Sequence, residues 1–265
     1  MILDEYYSEI TKRYGHIKRA RGNFLYTESG ERLTDLYLEN GRAILGWGNK
    51  NGSTGTGAFL TLKNVINRGL TGSFETDFSV QLDKAVSTLL DAPCTAFVYF
   101  DKDKAEKVAY SISKRLVSYT PWIGLNADGE IVKDFECVLI TPPLPWTDNL
   151  YILAARDDIT TVFFPEKIPG AFKAALTRSI YDLIAELPCR QEKKWFLYDS
   201  VLKNYFERKG PYLYPKMSLS QYDDFVLHCL DCGLAISPEH SKQSIVPYGA
   251  DKGVFSKLKN NPWNF

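Results

Sequence analysis

The chain predicts a mixed protein, α/β or α+β, with a larger compact part and a smaller part built from both termini. Three observations carry this expectation. Helical periodicity dominates both ends of the sequence. Short apolar runs separated by Gly and Pro turns fill the middle and read as strands. The 265 residues are 45% hydrophobic, enough to bury a substantial core in one large domain or two smaller ones.

In chain order, Leu3, Tyr6, Tyr7, Ile10 and Tyr14 recur at helical spacing and predict a helix over 3–14. "NFLYTESGERLTDLYL" reads as a hairpin whose alternating strands flank Glu28-Ser29-Gly30. The chain then passes Gly41 and the apolar Ala43-Ile44-Leu45 before placing Gly46 and Gly48 around Trp47, the pattern of a tight bend beside a large ring. After the glycine-rich "GNKNGSTGTG", 58–70 and 76–90 show helical periodicity, and "CTAFVYF" is a buried strand leading into the helix-like "DKAEKVAYSISKRL". "GLNADGEIV", "CVLITPP" and "NLYILAA" predict short strands between 118 and 156. Helices are predicted over 169–187, 190–208 and 218–232, followed by the strands "LAISP" and "SIVP" and a last helix near 250–260. Since neither short two-stranded piece is stable alone, the hairpin at 23–38 and these last strands should be neighbours.

Composition excludes several function classes. The 32 basic and 32 acidic residues cancel, which removes the usual footprint of a nucleic-acid binder, and no nucleic-acid partner is expected. The polar start "LDEYYSEITKRYG" is unlike a signal peptide, and runs such as "CVLI" are far too short to cross a bilayer. No membrane association is expected. Five cysteines without regular spacing predict reduced thiols in a cytoplasm.

The motifs are sparse. "GSTGTG" (52–57) precedes a helix, where backbone N–H groups hold phosphate in other proteins, but Ala58 and Phe59 follow instead of the Lys and Ser/Thr of a phosphate loop. A plain loop is the simpler reading. Cys229 and Cys232 beside His228 resemble half a zinc site, yet Cys94, Cys137 and Cys189 are isolated and His16 and His240 lie elsewhere. Buried thiols at a helix end are favoured, and no metal is expected. No Gly-x-Ser-x-Gly elbow occurs. Trp122, Trp146 and Trp195 read as core, and "DKDKAEK" as a solvated first helical turn.

"NFLYTESGERLTDLYLENGRAILGWGN", with Gly30, Asp35, Leu45 and Gly46 at its fixed points, resembles the N-terminal segment of class III aminotransferases, the glutamate-1-semialdehyde aminomutase and ornithine aminotransferase group. "FVLHCLDCGLAISPEHSKQSIVPYGADKGVFSKLKN" is similar to that family's C-terminal tail, with its helix, the Gly233 exit and the strand ending Ser237-Pro238. The resemblance implies a pyridoxal-phosphate fold type I protein and a homodimer. Residues 1–57 and 188–265 would form the small α+β domain, and 58–187 a shortened large domain. It also implies a candidate cleft at Gly46, Trp47, Gly48, Asn49 and Ser237, holding a small-molecule ligand. Two departures point to a degenerate protein without cofactor. The family's glycine-serine phosphate turn is replaced by Asp101-Lys102-Asp103-Lys104, and the central stretch is too short for the usual ring-binding Asp and Schiff-base Lys. Were pyridoxal phosphate retained by an active aminotransferase or aminomutase, "DDITTVFFPEKIPGAF" would nominate Lys167, although Pro165 and Pro169 replace small neighbours there. A structural or partner-binding subunit is the remaining expectation.

Overall fold

A computed structural model describes residues 1–52, 54–147, 149–157, 159 and 166–264. The chain divides into two compact units, one of 1–55 with 190–265 and one of 56–189.

The first unit opens with α1 (Leu3–Tyr14), β1 (Ile17–Arg21), β2 (Phe24–Thr27) and β3 (Arg32–Asp35). The three strands form an antiparallel meander. The turn between β2 and β3 closes through Gly30 at φ 85°, where the Gly30 N–H donates to Thr27 O at 3.2 Å. Leu25 and Leu33 face the core side in register, while Phe24, Tyr26 and Arg32 face outward. Strand β1 eluded the sequence reading because its side chains, Ala20 apart, are exposed, leaving no alternation to read.

The second unit contains α2 (Ala58–Asn67), α3 (Phe78–Leu90), β4 (Cys94–Tyr99), α4 (Lys102–Ile112), β5 (Ser118–Thr120), β6 (Gly124–Ala127), β7 (Glu130–Ile131), β8 (Cys137–Ile140), β9 (Tyr151–Arg156) and α5 (Gly170–Glu186). Its strands form one sheet in the order β4-β9-β8-β5-β6-β7, antiparallel except for the parallel β5–β8 pair. Strands β8 and β9 are buried on both faces, which is why "CVLI" reads as a continuous apolar run. Val138, Ile140, Ile152 and Ala154 pack with α2, α3 and α5, while Cys137, Leu139, Leu153 and Ala155 pack with Ala105 and Ala109 of α4. Asp128 and Gly129, at φ 51° and 81°, make the tight β6–β7 turn that an Asp-Gly pair favours.

The chain then returns to the first unit through α6 (Glu192–Trp195), a 3₁₀ turn (Phe196–Tyr198), α7 (Asp199–Leu202), β10 (Phe206–Lys209), β11 (Tyr212–Pro215), α8 (Leu219–Asp231), β12 (Leu234–Ala235), β13 (Ser244–Ile245), a second 3₁₀ turn (Lys252–Phe255) and α9 (Ser256–Asn260). The single helix expected over 190–208 is therefore corrected to two short helices and a strand. Gly210, at φ 57°, and Pro211 turn the chain so that β10 pairs with β11. Strand β12 joins β3 in parallel, and β13 joins β11. The Ile245 N–H donates to Leu36 O at 2.7 Å, so both late strands border the N-terminal hairpin segment. Tyr14 OH also donates to Leu230 O at 2.5 Å, tying α1 to α8.

Candidate functional site

Strand β3 stops at Asp35 because that carboxylate redirects the backbone. Its Oδ1 accepts the N–H groups of Tyr37 (2.9 Å) and Leu38 (2.8 Å). Leu38, Glu39 and Asn40 then stand at φ 49°, 51° and 54°, and Gly41 follows at 84°. Four successive residues in the left-handed region make a turn that costs non-glycine residues about 1–2 kcal/mol each. The turn is closed by Gly41 N–H to Tyr37 O (3.3 Å) and Ala43 N–H to Leu38 O (2.9 Å). Asp35 is buried at 2% exposure, and its other oxygen accepts the Trp47 indole N–H at 2.7 Å. Burial pushes its carboxyl up to about 6 despite these three donors.

The glycines around Trp47 serve close backbone packing. Gly46 has φ 101°, and a Cβ there would lie 3.0 Å from Gly55 N and 3.2 Å from Gly22 Cα. Trp47 and Gly22 exchange backbone hydrogen bonds of 2.7 and 3.0 Å. Arg190, buried at 4% exposure, donates to Ile44 O (2.7 Å) and Leu45 O (3.2 Å) and lies 4.3 Å over the Tyr248 ring. The structure thus gathers Gly46, Trp47, Gly48 and Asn49 into one bend supported by Asp35 and Arg190. Ser237 is placed differently. It is fully buried, its hydroxyl donates to Glu239 O at 3.1 Å, and its N–H donates to Ser244 Oγ at 2.9 Å, with no hydrogen bond to the bend among the described residues.

In the second unit, both helix starts that the sequence offers to a phosphate are met by the chain's own carboxylates. At α2, Asp182 Oδ2 accepts the Gly57 N–H (2.7 Å) and the Thr56 hydroxyl (2.9 Å), and its Oδ1 pairs with Arg178 at 2.9 Å. Asp182 is 3% exposed. At α4, Asp101 is the N-cap and accepts from Asp103 N (2.9 Å) and Lys104 N (3.4 Å). Glu166 accepts the Phe100 N–H at 2.5 Å and pairs with Lys104 Nζ at 3.0 Å. The Phe100 hydrogen bond, aided by Lys104, holds the Glu166 carboxyl below the ordinary range.

Lys167, beside Glu166, is exposed and forms no ion pair among the described residues; Pro165 lies outside them. Cys229 and Cys232 are both buried, and burial pushes the two thiols up. Among the described residues no group of three His, Cys, Asp or Glu is placed to hold a metal ion, and no helix is long and apolar enough to cross a membrane. Trp195 is buried, Trp146 packs edge-on against Phe172, and Trp122 donates to Leu187 O at 3.2 Å. Sequence reasoning did not single out Asp182, Glu166 or Arg190. Their partners lie 125, 66 and 146 residues away in sequence, and no local spacing signals such pairs.

No family model matches the chain. Its sequence is 26% identical over 295 residues to an uncharacterized protein of Treponema pallidum, covering 92% of this chain and 93% of the relative. An uncharacterized protein of Borreliella burgdorferi is 23% identical over 92% of this chain and 88% of its own length. Among solved structures, an ornithine aminotransferase of Plasmodium yoelii superposes with a TM-score of 0.65 at 15% identity, covering 98% of this chain and 97% of that one. The acetylornithine aminotransferase of Elizabethkingia anophelis gives 0.63 at 11% identity over 97% of each chain. An omega-transaminase of Sphaerobacter thermophilus gives 0.60 at 10% identity, over 92% and 90%. The α/β fold of this chain is that of the class III pyridoxal-phosphate-dependent aminotransferases.

Proposed function

We propose that the chain is a degenerate aminotransferase-fold protein that does not transaminate and holds no covalent pyridoxal phosphate. The carboxylates at the two helix starts carry this reading. A phosphate dianion needs free N–H donors and cations, and here Asp182, Asp101 and Glu166 already use those donors. A second anion about 4 Å from any of them would be opposed by about 4 kcal/mol per unit charge at the effective dielectric of a protein surface. These residues do not fit the cofactor's phosphate. Lys167, the lysine that the sequence offers for a Schiff base, is exposed rather than set in a desolvated pocket that would activate it as a nucleophile.

The ligand class is a small carboxylate or amine, supported by the ornithine and acetylornithine in the names of the structural neighbours. The chain works as a cytoplasmic homodimer. Its 14% aromatic content and the exposed Leu60, Ile66, Phe74, Val80 and Tyr181 of the second unit support an extensive interface. Light scattering of the purified, colourless protein should give twice the 30.1 kDa chain mass, and thermal-shift screening should find a stabilising small carboxylate or amine. A yellow protein releasing pyridoxal phosphate on denaturation would overturn the reading.

A further inference from the structure

We propose that the outward face of the β1–β2–β3 sheet docks single-stranded nucleic acid. Register places Arg19, Tyr26 and Arg32 in one cross-strand row, and Arg21 and Phe24 in the next, whose third member, Thr34, is buried and ends the open face. Arg19, Arg21 and Arg32 are exposed and make no salt bridge among the described residues. The nearest acidic side chains in sequence are already engaged, Glu28 by Lys18 at 2.9 Å and Glu31 by Lys257 at 3.7 Å. Three uncompensated guanidinium groups therefore share one small face. The balance of 32 basic and 32 acidic residues averages over the whole chain and conceals this local excess.

The rings give the face its second property. The Arg19 guanidinium lies 4.6 Å from the centroid of Tyr26, and that of Arg32 lies 4.0 Å from the centroid of Phe24. Guanidinium groups seated over half-buried rings on an antiparallel sheet suit unpaired bases, which stack on arginine and aromatic side chains, while exposed guanidinium N–H groups suit phosphate oxygens. Arg19 and Arg21 stand about 6.7 Å apart along the strand, and the Arg32 strand lies about 9.6 Å across from β1. A flexible single strand can follow that spacing. A duplex hides its bases, and this flat face does not enter a major groove. An acidic peptide would pair the arginines but leave the stacking surfaces unused.

The test is fluorescence anisotropy of a labelled, mixed-sequence oligonucleotide of about 12 nucleotides with the full-length chain, from about 50 to 150 mM salt. Three phosphate contacts at about 0.7 each predict a log–log salt slope near −2, so binding should weaken roughly tenfold over that range. The combined Arg19→Gln, Arg21→Gln and Arg32→Gln variant should lose at least roughly tenfold in affinity and most of the slope. Tyr26→Ala should lose roughly tenfold with the slope retained, because stacking releases no counterions. Circular-dichroism melts confirm that each variant is folded. Three results would overturn the proposal: no binding at the lowest salt, equal binding by the triple variant, or polyglutamate binding as tightly as the oligonucleotide. The first would leave Arg19 and Arg21 as guards of the edge strand β1, and the last would assign the face to an acidic protein segment.

Discussion

Replacing Asp35 by Asn isolates the buried carboxyl on which the N-terminal bend turns. Its folded-state pKa of about 6 lies above the ordinary 3.8 because burial outweighs three N–H donors, a gap equivalent to about 3 kcal/mol. The folded protein therefore holds this proton more tightly than the unfolded chain does. The stabilisation is fully present below about pH 4 and is lost as pH rises through about 6. Asn does not titrate. Its oxygen keeps the Tyr37 and Leu38 N–H groups, but its own N–H₂ faces the Trp47 indole donor, so the variant carries a deficit at every pH. Glu39 and the tyrosines Tyr6, Tyr7 and Tyr37 face the same carboxyl from α1 and the left-handed turn, and they are common to both proteins. Urea unfolding of both proteins between about pH 4 and pH 8 should show the wild type's advantage shrinking by about 3 kcal/mol across the window. An advantage that stays constant, or grows with pH, would refute the reasoning and mean that the N–H donors outweigh burial.

Two further substitutions test the packing. Asp182→Ala leaves the Thr56 hydroxyl, the Gly57 N–H and the Arg178 ion without their acceptor, which should cost about 2–4 kcal/mol, with Asp182→Asn recovering part; urea midpoints and hydrogen exchange in the first turn of α2 report it. Gly46→Ala should cost about 2 kcal/mol or more and lower the melting temperature by about 4–8 °C, since its Cβ would sit 3.0 Å from Gly55 N at φ 101°. Gly30→Ala, equally left-handed at φ 85° but with nothing within 4 Å, should cost only about 1 kcal/mol, and equal melting losses for the two would contradict the close-approach account.

Much of the fold was legible where a local rule acts alone. Alternation exposed the hairpin around Gly30, and a four-residue apolar run marked the doubly buried β8, whereas "GLNADGEIV", read as one short strand, is two strands that turn at Asp128-Gly129. The 190–208 segment misled because Trp195, Phe196, Tyr198, Val201, Leu202, Tyr205 and Phe206 mimic a buried helix, while the reversal is signalled only beyond it, by Gly210-Pro211. The left-handed turn over 38–41 had only Asn40-Gly41 to announce it, since Leu and Glu rarely adopt that conformation. At the candidate site, the glycines and Trp47 could be seen in sequence. What they pack against could not, nor could the carboxylates that close α2 and α4. Asp182 reaches Gly57 across 125 residues, and only tertiary structure brings them together.

The proposed loss of the cofactor is tested most directly by incubating the full-length protein with excess pyridoxal phosphate, reducing with borohydride, desalting and measuring the intact mass. The closed helix starts and the exposed Lys167 predict an unmodified chain or, at most, substoichiometric labelling scattered over surface lysines. A stoichiometric adduct on a single lysine, Lys167 above all, would contradict the account and restore the enzyme reading.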